Sequence, residues 1–128
     1  MKRQQFISPG SLSRMLQAAA EAWNRQDYQQ SIDTLERASR LDPANAGVQL
    51  DLGRAYGMRY DYVAAERCFE KAVRIAPEKA DMLAMAGLQC RSFSRYEMAR
   101  HYFERAIQSP GAAVSRSGVP PIHASVQS

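Results

Sequence analysis

Catalysis and metal binding draw on a short set of side chains, and this chain holds them sparsely. Its thiols are Cys68 and Cys90 and its imidazoles are His101 and His123, in 128 residues. A metal site needs three or four ligands at close spacing, and a nucleophile needs a base to activate it. The cysteines form no C-x-x-C pair and have no neighbouring histidine, and neither histidine has a carboxylate or thiol at ligand or catalytic spacing. There is no glycine-rich phosphate loop, no G-x-S-x-G elbow and no H-E-x-x-H helix. The residues point to no enzyme active site, no metal and no cofactor. Free, packed thiols and surface histidines are expected, as suits a small protein in a reducing compartment.

What remains is binding chemistry. Lys and Arg number 17 against 13 Asp and Glu, a formal charge of +4, and arginine far outnumbers lysine. Nucleic-acid binders gather such charge on one face. Here Arg37, Arg40, Arg67, Arg74, Arg100 and Arg105 are interleaved with Glu36, Glu66, Glu70, Glu97 and Glu104, a mixture that favours ion pairs along helix surfaces. Nucleic acid is therefore not an expected partner. The basic start Met1-Lys2-Arg3 runs soon into Ser8-Pro9-Gly10, and Leu16 to Trp23 is broken by Gln17 and Glu21. Neither a secretion signal nor a membrane span is legible, and a cytoplasmic location is expected.

The positions that would order these residues recur at a fixed step. Leu52-Gly53-x-x-Tyr56 is followed by Ala65-x-x-x-Phe69, Ala72 and Pro77. A slide of 34 residues lands on like residues: Tyr28, Tyr62 and Tyr96, then Ala38, Ala72 and Ala106, with Pro43 preceding Pro77. Each unit reads as two helices joined by a turn. Asp27 and Asp61 are placed to cap the second helix, and Asp42-Pro43 ends the second helix of the first unit. Small residues at Gly53, Gly87, Ala65 and Ala99 let paired helices approach, while Leu52, Tyr56 and Phe69 fill the space beside them.

On these residues the chain resembles bacterial tetratricopeptide repeat (TPR) proteins of three repeats. The resemblance implies an all-α fold, a TPR α-solenoid of three helix-turn-helix repeats with about six antiparallel helices. Residues 1–11 read as a polar leader, punctuated by Pro9-Gly10-Ser11, with Ser11 or Ser13 capping the first helix. The TPR domain is expected over 12–113, as repeats 12–45, 46–79 and 80–113, followed by a disordered tail at 114–128 that contains Pro120-Pro121. Repeat one is the most degenerate, with Ala18-Ala19 for Leu-Gly and Ala22 for Tyr. Repeat three puts Cys90 where repeat two has Tyr56, which implies a packed, inert thiol. Arrays of this family usually end in an extra polar-faced helix, and none is legible. The outward face of the last helix, around Met98, Tyr102 and Ile107, is thus expected to be open, or covered by the tail, a second copy or a following domain.

In the family the first helices of the repeats line a concave groove. Carried onto this register, the groove positions are Leu16, Gln17, Ala20, Trp23 and Asn24, then Leu50, Asp51, Arg54 and Met58, then Asp81, Ala84, Met85, Leu88 and Arg91. Trp and Met suit adaptable apolar contacts, and arginines pair with anions; Leu16, Leu50 and Leu88 suit inter-repeat packing equally well. Chaperone-binding members hold a peptide carboxylate with a Lys/Asn/Asn/Lys/Arg clamp. Leu16, Ala20, Asp51, Asp81 and Met85 stand at those places here, and two aspartates repel a carboxylate. The resemblance therefore implies a non-enzymatic adaptor that binds a protein or peptide partner, as an amphipathic helix or an extended apolar segment. A secretion-chaperone-like protein is a variant of that reading, and self-association through the uncapped end is compatible with it. The rival reading is the N-terminal TPR region of a larger enzyme, sulfotransferase- or glycosyltransferase-like.

Overall fold

A computed structural model describes residues 9–76 and 78–109 of the chain. Pro77, most of the leader and the 114–128 tail lie outside those residues. Six helices follow one another: α1 (Pro9–Asn24), α2 (Tyr28–Leu41), α3 (Ala46–Met58), α4 (Tyr62–Ile75), α5 (Lys79–Ser92) and α6 (Tyr96–Gln108). They pack as the pairs α1/α2, α3/α4 and α5/α6, with α3 also against α2, and α5 against both α3 and α4. This is the all-α repeat solenoid that the 34-residue step implied.

The three turns within the pairs share one construction. Gln26, Tyr60 and Ser94, one step of 34 apart, have φ of 65°, 68° and 65°. Behind each, a backbone N–H reaches five residues back: Asp27 to the Ala22 carbonyl at 2.8 Å, Asp61 to Tyr56 at 3.0 Å and Arg95 to Cys90 at 3.0 Å. That is the Schellman ending of a helix, which satisfies carbonyls left over by the last turn. Asp27 and Asp61 then cap the next helix, accepting from Gln30 N and Ala64 N. Asn45 does the same for α3 by accepting from Val48 N. In the third repeat Arg95 takes the capping place and makes no side-chain cap. Its guanidinium lies over the Tyr62 ring instead, 4.3 Å from the centroid, and ties repeat three to repeat two. The first helix starts earlier than its serines suggested: Pro9, Gly10 and Ser11 are helical, so Ser11 and Ser13 lie inside α1 rather than at its cap. Proline tolerates the first turn because its missing N–H has no partner there.

Close approach explains the recurring spacing of small residues. A Cβ on Gly87 would lie 2.7 Å from the Phe103 ring, and Gly53 and Gly57 are covered still more tightly by Phe69 and Phe93. Ala65 and Ala99 are buried opposite them. Two cores result. One joins Ile32, Leu35, Val48, Leu52 and Ala55 across repeats one and two. The other joins Leu50, Phe69, Val73, Leu83, Cys90, Phe93 and Tyr102 across repeats two and three.

Three expectations need correction. Tyr102, expected on the open outer face, is fully buried. Its ring meets Phe69 edge-on at 5.7 Å and its hydroxyl donates to Glu70 at 2.8 Å. The reason lies in Cys90. At the first joint Tyr56 of α3 donates its phenol to Glu36 of α2; at the second the corresponding Cys90 is too short, and Tyr102 of α6 reaches the equivalent glutamate. Second, among the described residues only Arg100–Glu104 and Arg105–Glu70 form ion pairs; Arg37, Arg40, Arg67 and Arg74 point their charge to water. The Arg105 hydrogen bonds hold the Glu70 carboxyl below its ordinary range despite partial burial. Third, Leu50 is core, as described below. Cys68 and Cys90 are both free. Burial pushes their thiols up to about 11 and about 12, which leaves them protonated and unreactive at neutral pH.

Candidate peptide-binding site

Two first helices and one second helix line an open cavity. α1 supplies Leu16, Ala19, Ala20, Trp23 and Asn24, α3 supplies Asp51 and Arg54, and Ser31 and Leu35 of α2 form the floor; the volume is about 310 Å³. Six of the expected groove residues therefore meet here: Leu16, Ala20, Trp23, Asn24, Asp51 and Arg54. The floor was missed, because the resemblance assigns ligand contact to first helices only. Ser31 is buried and spends its hydroxyl on the Ala19 carbonyl at 3.2 Å, so it closes the pocket rather than offering a donor.

Trp23 and Arg54 build the polar rim. The indole is held edge-on against Tyr28, with centroids 4.9 Å apart. The Arg54 guanidinium carbon lies 3.9 Å from the Trp23 ring centroid, a stacked cation–π pair that fixes a normally mobile side chain. Fixed there, Arg54 Nε is buried and has no hydrogen-bond partner among the described residues. A buried N–H without an acceptor costs about 1–3 kcal/mol, so an incoming oxygen that accepts from it is rewarded. Asp51 stands one turn away. Burial raises its carboxyl above the ordinary range, and Arg54 draws it partly back. The pocket thus offers an unpaired donor and a desolvated acceptor beside the apolar side chains of Leu16, Ala19, Ala20 and Leu35.

The raised Asp51 carboxyl has a consequence for stability. The folded state favours the neutral acid, so this group's contribution is present at low pH and is lost as pH rises through the raised value. Asp51→Asn removes that cost. The expected result is a higher Tm at neutral pH, with the gain vanishing in acid, as measured by thermal denaturation across a pH series.

The other expected groove residues lie outside the cavity. Gln17 is exposed on α1, and Met58 packs partly against the second core. Asp81, Met85, Leu88 and Arg91 are exposed along α5, and Ala84 is half-buried there. They can extend a ligand track from α3 to α5 but do not enclose one. Leu50 cannot touch a ligand: it is 2% exposed and packs in the core with Leu83 and Phe69. α3 is buried on both sides, Leu52 toward repeat one and Leu50 toward repeat three, so a register rule that allots Leu50 to the groove fails.

A second concavity of about 380 Å³ lies between α2 and α4, beside Arg67, Lys71 and Arg74. Its polar floor is satisfied internally, by Tyr56 donating to Glu36 and by Gln49 Nε2 donating to Ser39 at 2.8 Å. Among the described residues no group of three or more His, Cys, Asp and Glu is placed to hold a metal, and no helix is long and apolar enough to cross a membrane.

No protein-family model matches this sequence, and no curated protein matches it. Solved structures do. The crystal structure of MamA matches with a TM-score of 0.60 and 23% identity, over 76% of this chain and 57% of that one. The TPR domain of Arabidopsis OM64 matches with a TM-score of 0.60 and 21% identity, over 83% of this chain and 91% of that domain. The fold is that of a tetratricopeptide repeat array. At these identities the likeness is one of fold, and this chain spans a little over half the length of the MamA chain. As a TPR-like array, the chain is a helical-repeat module.

Proposed function

We propose that the chain is a non-enzymatic adaptor that binds a protein partner along α1, α3 and α5, anchored in the pocket of Trp23 and Arg54. The observation that carries this reading is the orphaned Arg54 Nε, stacked on the Trp23 ring in the lining of a cavity of mixed polar and apolar walls. A solvated surface arginine needs no such arrangement. The anchor is an apolar side chain of the partner in the well, with a neighbouring carbonyl or carboxamide oxygen on Arg54 and an N–H on Asp51. A bare carboxylate terminus is disfavoured, because Asp51 and Asp81 share the α3–α5 track. This reading fits an interaction module of TPR fold and assigns no chemistry to the scattered thiols and histidines.

The test is quantitative capture from the native cells, with wild-type, Trp23→Ala and Arg54→Ala chains as bait. Trp23→Ala removes both the pocket wall and the shelf under Arg54, and is expected to cut recovery of the specific partner by about 10-fold or more while helicity persists. Equal recovery by all three baits would remove this pocket from the function.

A further inference from the structure

The two joints of the array use corresponding positions and close differently. At the second joint α6 sets Tyr102 on Phe69 of α4 and packs Met98 against the same core, beside the buried Val73 and Leu83. At the first, one step of 34 residues earlier, α4 has only Ala64 and Cys68 at the places of Met98 and Tyr102, and Ser39 and Gln49 replace the valine and the leucine. α3 offsets part of the loss, with Leu52 and Tyr56 where α5 has Ala86 and Cys90. A concavity of about 380 Å³ remains, and all of these first-joint side chains line it.

Its charge is one-sided. Arg67, Lys71 and Arg74 follow one another at helical spacing on one face of α4. They are exposed, line the concavity and form no ion pair among the described residues. The counterpart of Lys71 at the second joint, Arg105, is taken by Glu70. Glu36, the counterpart of Glu70, is the one carboxylate among the described residues of the lining, and it accepts the Tyr56 phenol. Three cations thus stand over one carboxylate that already has a partner.

We propose that this concavity is a second docking site, for an acidic peptide segment of a partner protein that carries an aromatic ring. The ring enters beside Leu52, Ala64 and Cys68, where the second joint is filled by the chain's own Tyr102. Carboxylates on either side of the ring pair with Arg67, Lys71 and Arg74, whose charge they complement. A nucleic-acid strand fits less well. Glu36 lies in the lining, and Glu66 and Glu70 interrupt the cations along α4, so a backbone charged at every nucleotide meets repulsion that spaced carboxylates avoid. The concavity shares no lining residue with the Trp23–Arg54 pocket, so the two sites can be loaded separately.

The probe is the capped peptide Glu-Glu-Tyr-Glu-Glu, titrated at low salt into the full 128-residue chain and followed by backbone amide shifts in NMR. Saturable shifts are expected at Glu36 and Ser39 of α2 and from Ala64 to Arg74 of α4, with Trp23 and Asn24 unmoved. Lys71→Glu and Arg74→Glu should each weaken binding by about 10-fold, and alanine in place of the peptide's tyrosine by about as much. Arg100→Glu, the same change of charge at an exposed place on α6, should leave it unchanged. Tyr56→Cys combined with Cys68→Tyr rebuilds the second joint's arrangement at the first, and should fill the concavity and abolish the shifts. Should that chain lose its helical signal, Lys71→Glu and Arg74→Glu decide. Absence of saturable shifts on α2 and α4 overturns the proposal, and so do shifts centred on Trp23 and Arg54, or an equal loss with Arg100→Glu. Tighter binding of an oligothymidylate than of the peptide, at the same salt, would overturn it in favour of nucleic acid.

Discussion

Gly53→Leu is expected to cost about 3 kcal/mol, a fall in Tm of roughly 15 °C for a domain of this size. The side chain at 53 would enter the Phe69 ring, which already overlaps the place of a Cβ. Phe69 has nowhere to retreat, because it is fully buried between Phe93, stacked on one side, and Tyr102, edge-on at the other. α3 and α4 must separate instead, and both cores run through that pair. A smaller Phe69→Leu change in the same chain should return part of the loss, a coupling that a double-mutant cycle reads directly. Thermal and urea denaturation measure it, and a Gly53→Leu chain that melts within a degree of wild type would contradict the packing described.

Phe93→Ala is expected to cost about 3–4 kcal/mol, with a different signature. Phe93 is the plug of the second joint: it sits on Gly57 and stacks on rings from the preceding repeat. A repeat array is held by nearest-neighbour contacts, so loss of one joint should release the repeat beyond it first. Hydrogen exchange should therefore rise across α5 and α6 while α1 and α2 keep their protection. Uniform loss of protection over all six helices would show that the joints are not separable.

Much of the fold was legible because its rules are local. A small residue at every close approach, an aspartate after each of the first two turns and a proline after α2 set the pairs and their order without tertiary knowledge. The errors arose where two elements compete for one position. Cys90 announced a missing phenol, but nothing in the 34-residue step says that Tyr102 from the other helix supplies it. Leu50 and Leu52 look alike in sequence, and only the sandwiching of α3 between two cores shows that neither faces outward. Alternating charge along α2 and α4 suggested ion pairs, yet most of those arginines stand free in the structure, because an exposed pair gains too little to hold two long side chains in register.

The site was legible to a lesser depth. Trp23, Asp51 and Arg54 follow from the position of first helices in such an array. That Arg54 lies flat on Trp23 with its Nε left without an acceptor depends on side-chain geometry, and so does the floor contributed by Ser31 and Leu35. Trp23 is the single tryptophan of the chain, which makes the proposed anchor its own reporter. The most direct test is therefore the emission of Trp23 as the partner recovered by the wild-type bait is titrated in, with calorimetry alongside. An anchor in the pocket must displace water from the indole and disturb the Arg54 stack, so emission should shift and saturate at the calorimetric stoichiometry, and Arg54→Ala should abolish the response. Binding seen by calorimetry with no change at Trp23 would place the partner elsewhere and contradict the account.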